Sequence, residues 1–445
     1  MKLDKRINYI FKDKELLFLR AYLFLLPFNL GVGRIESIRL IFASDIFLYL
    51  LLLTWFLKTR GFQRGKIYTG PTMVPATLTV IWGGISVAFA ISQVMGGLAV
   101  FLFIKAYLIY FYLINRVNTR EKLKIVVDYL MAGIAIQGLL GIAQRATGGP
   151  LGLDKLGESM GRMLSNIGRV VGTYYGPNRY AAHLILVIPM AIALFMFLRK
   201  RKDKYMYGAV TMLSLGGLFF SLSRSSWAGM IVSLFFMVLV LGRRGRISPR
   251  LMKTMVVVLI VMIVIGAVFW NTIERRFERG ADGTHRVTMI NIAFKLLQDN
   301  FLFGVGLFNY QFHSFHLFAF WHPVHNTYLR LAVETGIPGL LFFLWFVFYL
   351  IRAAYRGTKL KDPFLSSVAL GCLGGYVAFL VAVNFGPMYQ HYRMKAFFWV
   401  IGALAIAVRR IRKNEIVAKY KMKMKKENEQ KKEAPRIQAK HITNR

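Results

Sequence analysis

Three basic side chains that lie far apart in the sequence are candidates for chemistry on an anionic substrate: Arg224, Arg286 and His325. Guanidinium groups bind phosphate oxygens bidentately and stay charged at any relevant pH, so a pair of them suits a diphosphate leaving group. A neutral histidine can accept the proton of an attacking sugar hydroxyl. These residue types fit glycosyl transfer from a lipid diphosphate, if the fold brings them to one surface.

Each candidate also has a simpler role that its position permits. Arg224 is suited to snorkelling toward headgroup phosphates, Arg286 is suited to being a surface charge near a helix start, and His325 is suited to capping the helix that follows it. His313 and His316 have a spacing that would place both on one face of a helix, but no Asp, Glu or Cys lies close by. We therefore expect no metal site.

The composition predicts an all-α, polytopic membrane protein. Of the 445 residues 56% are apolar and only 18% are charged. The apolar residues form continuous runs of roughly 18–22 residues rather than the alternating pattern of a β-barrel. About twelve spans are predicted, near 16–33, 38–57, 72–91, 95–114, 125–143, 178–198, 205–222, 225–241, 252–270, 337–354, 364–385 and 394–408.

The positive charge follows an alternating pattern along the chain. The net charge of +39 is concentrated in every second loop, in the N-terminal segment and in the C-terminal tail. The positive-inside rule then predicts cytoplasmic termini, with residues 1–15 before the transmembrane domain 16–408 and a basic tail over 409–445. Such a tail fits anionic lipid headgroups, so membrane lipids are expected partners and nucleic acid is not.

The longest loop between spans, 271–336, is predicted on the extracytoplasmic side, just before the tenth span. It contains five of the eight histidines. Part of it has the apolar spacing of an amphipathic helix lying against the membrane surface, which "GVG" then ends. The apolar residues with this spacing are Val287, Ile290, Phe294 and Leu297.

Four segments of the chain resemble the O-antigen ligase and O-antigen polymerase superfamily, a group of polytopic GT-C-type transferases. "HNTYLRLAVETGIPG" is similar to its hallmark of His-Asn followed by Gly-x-x-Gly, here at His325 and Asn326. Three earlier segments are similar in order and spacing, and the resemblance covers roughly 165–345. They are "GTYYGPNRYAAHLILVIPMAIAL" with Asn178, "SLSRSSWAGM" with Arg224, and "HRVTMINIAFKLLQDNFLFGVGLFNY" with Arg286.

This resemblance implies a fold in which a long external loop closes over a membrane-facing cavity. It implies metal-independent, inverting transfer of a glycan from an undecaprenyl-diphosphate carrier, without a cofactor. The family's arginines correspond to Arg224 and Arg286 and would hold the diphosphate. Its histidine corresponds to His325 and would activate or orient the acceptor hydroxyl.

Four further residues are expected to contact substrate: Asn178, Arg179, His322 and Asn326. For the two asparagines a structural role is an equal alternative. Glu334 is expected to help dock the tenth span, and Gly336 and Gly339 are expected to allow close helix packing.

The sequence leaves the acceptor open. Transfer to lipid A–core, the ligase reaction, is narrowly favoured over transfer to a second lipid-linked repeat unit, the polymerase reaction. Glycosylation of proteins ranks third, because the tail is too short and charged for the extra soluble domain of such relatives. A flippase for lipid-linked sugars is the alternative from another class, but Asp45, Lys105 and Asp128 do not form the matched halves that it would predict. In each case the expected location is a bacterial inner membrane.

Overall fold

The computed structural model of the chain describes residues 2–35, 38–59, 67–152, 168–243, 245 and 283–442. Thirteen α-helices and one two-stranded antiparallel hairpin lie within these ranges. In chain order they are α1 (Lys2–Leu25), β1 (Gly31–Ile35), β2 (Ile38–Phe42), α2 (Ala43–Lys58), α3 (Met73–Ser86), α4 (Gln93–Arg116), α5 (Arg120–Thr147), α6 (Pro177–Phe197), α7 (Arg201–Phe220), α8 (Arg224–Gly242), α9 (Gly283–Asp299), α10 (Tyr310–Phe318), α11 (Thr327–Gly357), α12 (Pro363–Ala382) and α13 (Tyr392–Ile442).

Six of these helices are long and apolar enough to cross a membrane: α4, α5, α6, α8, α11 and α12. Each coincides with one of the predicted spans, so the described part of the chain is a mainly helical, multi-pass membrane protein. The total of twelve spans stays a prediction. The predicted span 252–270 lies outside the described residues.

The fold is consistent with the predicted all-α class, but a β-hairpin changes the bounds of the first two predicted spans. Spans were expected over 16–33 and 38–57, but α1 ends at Leu25 and α2 begins at Ala43. Pro27 has no amide hydrogen to continue α1 and disfavours helical backbone in the residue before it. The segment after it turns back on itself, with Gly31 paired to Phe42 across the hairpin.

A helix, α11, begins inside the predicted loop 271–336, and the extent of that loop stays a prediction. The helix begins at Thr327, and its only interruption is a kink at Gly336, where φ is +69° and ψ is 174°. The first turns are polar, yet they lie inside the protein, where Arg330 Nε donates to Glu334 Oε1 at 2.7 Å. Glu334 is therefore paired within α11, one turn from Arg330, and its carboxylate is buried.

Consecutive helices joined by short connections run antiparallel, so the connections gather at two ends of the bundle. At one end, called the basic end here, Glu15 binds Lys58 Nζ at 2.9 Å and Arg116 Nε at 2.7 Å. Arg410 Nη1 donates to the carbonyl of Asn115 at 3.0 Å at the same end. Here α13 continues without a break past the predicted tail boundary at 408–409.

The opposite end, called the site end, is where α6, α8, α11 and α13 begin and where α9 and α10 lie. A second small core joins these short helices to α11. Its residues are Ile292, Ala293, Leu296, Val305, Tyr310, Val324 and Val333.

The structure bears out a helix in the predicted amphipathic segment but ends it earlier. α9 stops at Asp299, five residues before the Gly304 of "GVG". Val287 of the predicted apolar stripe is 57% exposed and Phe294 is 52% exposed, whereas Leu297 packs against the second small core and Ala293 on another face is fully buried. The exposed part of the stripe can therefore contact a membrane surface.

Candidate functional site

His325 lies at the rim of a cavity of about 590 Å³ at the site end. Its imidazole is exposed, and the walls are mostly apolar. The lining residues are Met289, Ile290, Phe294, His325, Asn326, Tyr328, Leu329, Asn384 and Phe385. His322 lies outside this lining; it is exposed, with its ring 5.1 Å from that of Phe320.

The first turn of α11 fixes the backbone that carries His325. Asn326 Oδ1 accepts from the amide of Leu329 at 3.0 Å, which is the geometry of a helix N-cap. Thr327 Oγ1 donates to the carbonyl of Gly386 at 2.9 Å, and Tyr328 Oη donates to that of Leu380 at 3.0 Å. The side-chain oxygen of Asn326 therefore has a structural partner, and α11 is tied to the end of α12.

The opposite wall of the cavity is α9, the helix to which Arg286 belongs. Met289, Ile290 and Phe294 line the cavity from this helix. Arg286 stands in its first turn, about one turn before Met289. The chain thus brings the helix of Arg286 and the segment of His325 to the same cavity.

Two glycines hold α9 and α11 in this arrangement. Gly304 and Gly336 both have positive φ values, +73° and +69°. A Cβ on Gly336 would lie 2.1 Å from the carbonyl oxygen of Leu302, and one on Gly304 would lie 2.5 Å from the amide nitrogen of Gly336. The kink in α11 and the turn after α9 therefore fit together only without side chains at these positions.

Buried glutamines of α5 position the segment that leads to Asn178. Gln144 Oε1 accepts from the amides of Val171 and Gly172, and Gln137 Nε2 donates to Thr173 Oγ1 at 2.6 Å. The two bonds accepted by Gln144 satisfy backbone amides that would otherwise be buried without partners. The segment held by these bonds continues directly into α6, and Asn178 and Arg179 lie in the first turn of that helix.

Arg169, which was not a candidate from the sequence, connects Asn178 to the segment before Arg224. Its Nη2 donates to Asn178 Oδ1 at 2.8 Å, and its Nε donates to the carbonyl of Ser221 at 2.8 Å. Arg224 follows three residues later as the first residue of α8 and is partly buried. Asn178 and the start of α8 are therefore joined through one buried guanidinium.

Arg179, the neighbour of Asn178, belongs to a second group of basic side chains. It is close enough to Arg330 for their positive charges to repel each other. His391, in the connection before α13, lies within the electrostatic reach of Arg179, Arg330 and Lys395. Unlike Arg179, the residues His391, Arg330 and Lys395 were not among the candidates from sequence, although "QHYRMK" ahead of an apolar run resembles the pattern that singled out His325.

The surroundings of His391 decide its charge state. Burial is the larger effect, and the positive charges of Arg179, Arg330 and Lys395 add to it; together they hold the pKa of His391 well below its usual range. His391 is therefore a neutral imidazole at neutral pH, able to donate one hydrogen bond and accept another.

The candidates thus form one connected region rather than one fully assembled centre. His325 and Asn326 share a cavity with the helix of Arg286, and Arg330 lies one turn further along α11, with its amide bonded to the carbonyl of Asn326 at 3.0 Å. Arg330 lies near Arg179, the neighbour of Asn178. Asn178 accepts a hydrogen bond from Arg169, which also donates to the carbonyl of Ser221, three residues before Arg224. Within the described ranges no group of three His, Cys, Asp or Glu side chains is placed to hold a metal ion.

This arrangement combines an exposed imidazole, an apolar cavity and several guanidinium groups at one end of a membrane-spanning bundle. Residues 209–344, which include Arg224, Arg286, His325 and Asn326, match the family described as O-antigen ligase. Comparison with curated protein sequences finds no significant match. Asn178 and Arg179 lie before the matched segment. The match agrees with the motifs, and the O-antigen ligase domain matched over residues 209–344 supports the assignment to the O-antigen ligase superfamily.

Proposed function

We propose that the protein moves a glycan from an undecaprenyl-diphosphate carrier to a sugar hydroxyl of lipid A–core on the extracytoplasmic face of a bacterial inner membrane. The family supports a ligase or polymerase type of activity. The observation that carries the proposal is the shared cavity of His325 and the helix of Arg286. Its mostly apolar wall suits the carrier lipid, and the exposed imidazole at its rim suits a hydroxyl that arrives from water.

The proposed reaction is a single in-line displacement that inverts the anomeric carbon. The acceptor oxygen forms a bond to that carbon as the carbon–oxygen bond to the diphosphate breaks, and the bonding electrons leave with the diphosphate. His325 accepts the hydroxyl proton, and Arg224 and Arg286 stabilise the negative charge that develops on the leaving group. No metal or cofactor has a step in this mechanism.

The substrate-contacting residues take narrower roles in this proposal. Arg179 and Asn178 stand at the start of α6, where an anionic sugar or phosphate would meet positive charge and amide donors. His322, three residues before His325 and exposed, would contact the acceptor sugar outside the cavity. Asn326 would contribute its amide nitrogen while its oxygen caps α11.

The test is transfer by purified protein in liposomes that contain a lipid-linked glycan donor and lipid A–core. Arg224→Ala, Arg286→Ala and His325→Ala should each lower turnover by about 10²- to 10³-fold. His316→Ala removes another exposed histidine of the site end, and Arg199→Ala removes an exposed arginine of the basic end. These two controls should transfer glycan normally, and normal turnover in all three site variants would refute the assigned roles.

The choice of acceptor separates the ligase from the polymerase. The same donor is supplied with lipid A–core in one assay and with a second lipid-linked repeat unit in another. Product on lipid A–core alone supports the ligase proposal, and lengthened lipid-linked chains alone support the polymerase. Movement of a fluorescent lipid-linked sugar across the vesicle without product in either assay supports the flippase and overturns the enzyme proposal.

A further inference from the structure

The basic side chains around His391 carry more positive charge than the carboxylates near them, among the described residues, can neutralise. Arg330 is 4% exposed and Lys395 is 1% exposed, and Arg179 beside them is partly buried. The only carboxylate among these groups is Glu334, which is 1% exposed and bound to Arg330. With His391 neutral and Lys395 protonated, three cations and one anion give a net charge of +2, and burial disfavours this charged state unless an anion joins it.

Hydrogen-bond donors are unused at the same place. Arg330 gives its Nε to Glu334, but its Nη2 is buried with no acceptor among the described residues. The ammonium of Lys395 lies 3.7 Å from the centre of the Phe103 ring, and the described residues give it no hydrogen bond. Buried donors of this kind are usually satisfied by water or by a bound group.

The amount of charge favours a phosphoryl anion over a carboxylate. A carboxylate carries one negative charge and would leave part of the positive charge uncompensated. A sugar diphosphate diester carries about one negative charge on each phosphate, which matches the excess. An arginine with a free Nη2 and a lysine ammonium are also the groups that bind phosphate oxygens most often in proteins.

We propose that Arg330 and Lys395, with Arg179 beside them, form a binding site for the phosphoryl groups of a lipid diphosphate. This inference rests on the proposed function, because the diphosphate is taken to be that of a lipid-linked glycan. Arg330 follows Asn326 by one turn of α11, so an anion bound here would lie beyond the first turn of the helix that begins at the His325 cavity. The site adds positioning residues from α6, α11 and α13 to the candidates Arg224 and Arg286.

The test measures binding by full-length protein in phosphatidylcholine nanodiscs. The probes are undecaprenyl diphosphate, uncharged undecaprenol and added phosphatidylglycerol. The wild type should bind undecaprenyl diphosphate far more tightly than undecaprenol. Lys395→Met should weaken the binding of the diphosphate by at least about 30-fold, whereas Lys395→Arg should retain most of it.

A matched control and a stability measurement separate binding from folding. Lys204→Met removes a lysine that also lies over a ring, 5.7 Å from the centre of Phe195, at the basic end, and should bind normally. Without ligand, Lys395→Met should unfold at the same or a higher temperature than the wild type, because it removes an uncompensated buried charge. Arg179→Met is the second binding variant if Lys395→Met does not fold.

Wild-type affinity for the diphosphate in both Lys395→Met and Arg179→Met would overturn the site, and so would equal affinity of the wild type for undecaprenol. Equal binding of phosphatidylglycerol and undecaprenyl diphosphate, lost in Lys395→Met, would support the phosphoryl site with a headgroup as its source. Glycan transfer by the wild type together with normal binding by both variants would leave the proposed function intact. Loss of binding in the variants without any transfer by the wild type would refute only the proposed function.

Discussion

At the scale of single residues, the side chains around the start of α11 are of two kinds: those that hold the backbone, and the exposed imidazole of His325. Asn326 belongs to the first kind through its oxygen, Thr327 through its hydroxyl, and Tyr328 through its phenol. The His325 imidazole remains exposed at the cavity. Such fixed surroundings would hold one exposed group in position for a reaction.

The N-cap at Asn326 leads to a prediction about stability. Asn326→Ala should destabilise the protein by about 1 kcal/mol, because the amide of Leu329 loses its acceptor, and Asn326→Ser should restore most of that loss. Thermal unfolding of the purified variants measures both effects. Equal stability of the alanine and serine variants would show that the cap does not contribute.

At the scale of helices, the kink in α11 determines how the outer segment meets the bundle. The residues before Gly336 carry the polar groups of the site, and those after it form the apolar part that can cross a membrane. A straight helix would carry Arg330 and Glu334 away from their neighbours in α6 and α13. One helix therefore contains both the polar residues of the candidate site and an apolar segment that can cross a membrane, and the kink at Gly336 separates the two.

Substitution of Gly336 tests this role. Gly336→Ala should lower stability by about 2–4 kcal/mol, because the new Cβ would lie 2.1 Å from the carbonyl oxygen of Leu302 in a residue with φ of +69°. Gly97→Ala is the control, since its Cβ would meet nothing within 4 Å. Equal thermal stability of the two variants would contradict the interlocking of α11 with the turn after α9.

The pairing of α1 with α2 and α4 at the basic end predicts a dependence on pH. Burial alone would raise the pKa of Glu15, but hydrogen bonds and charge attraction from Arg116 and Lys58 outweigh it and lower the pKa to about 2. A carboxylate with a lowered pKa stabilises the fold fully above its unfolded pKa, and this contribution is lost as pH falls. The loss should occur from about pH 4.5 down to about pH 2.

Glu15→Gln should therefore lower stability by about 2–3 kcal/mol at pH 7, and the difference from the wild type should shrink as pH falls through this window. Thermal unfolding between pH 7 and pH 3 in detergent measures it. Glu427→Gln, which removes a carboxylate that is 45% exposed, should show no such trend. A constant difference between Glu15→Gln and wild type across the whole range would refute the prediction.

At the scale of the whole molecule, the two ends of the bundle differ in the residues and the elements that they hold. The basic end holds Lys58, Arg116, Arg120 and Arg410, which are tied to the helices around them. The site end holds the cavity, the hairpin and the short helices α9 and α10. We expect this polarity to correspond to cytoplasmic and extracytoplasmic sides.

Cysteine labelling tests the orientation. The one cysteine, Cys372, is buried and can be replaced in a Cys372→Ala background. In intact spheroplasts a membrane-impermeant maleimide should label His316→Cys at the site end, and it should label Arg199→Cys at the basic end only after permeabilisation. Labelling in the reverse order would invert the topology, and labelling of both positions in intact spheroplasts would contradict it.

The sequence alone was sufficient to predict the multi-pass membrane class and the family match of residues 209–344. Apolar runs of span length are a local property, because a backbone in lipid must satisfy its hydrogen bonds within the segment. The motif of His325 and Asn326 is also local, since both residues stand at one helix start. The hairpin after Pro27 was missed because its apolar residues continue the run on either side.

Only the tertiary structure could join the buried basic residues. Arg179, Arg330 and Lys395 are separated by many residues in the chain, and in the sequence each has the appearance of a single loop or span charge. Their contacts depend on how α6, α11 and α13 pack, which is fixed by long-range contacts such as that between the turn after α9 and Gly336. Local periodicity contains no information on that packing, so the apolar spans were predictable and the charge cluster between them was not.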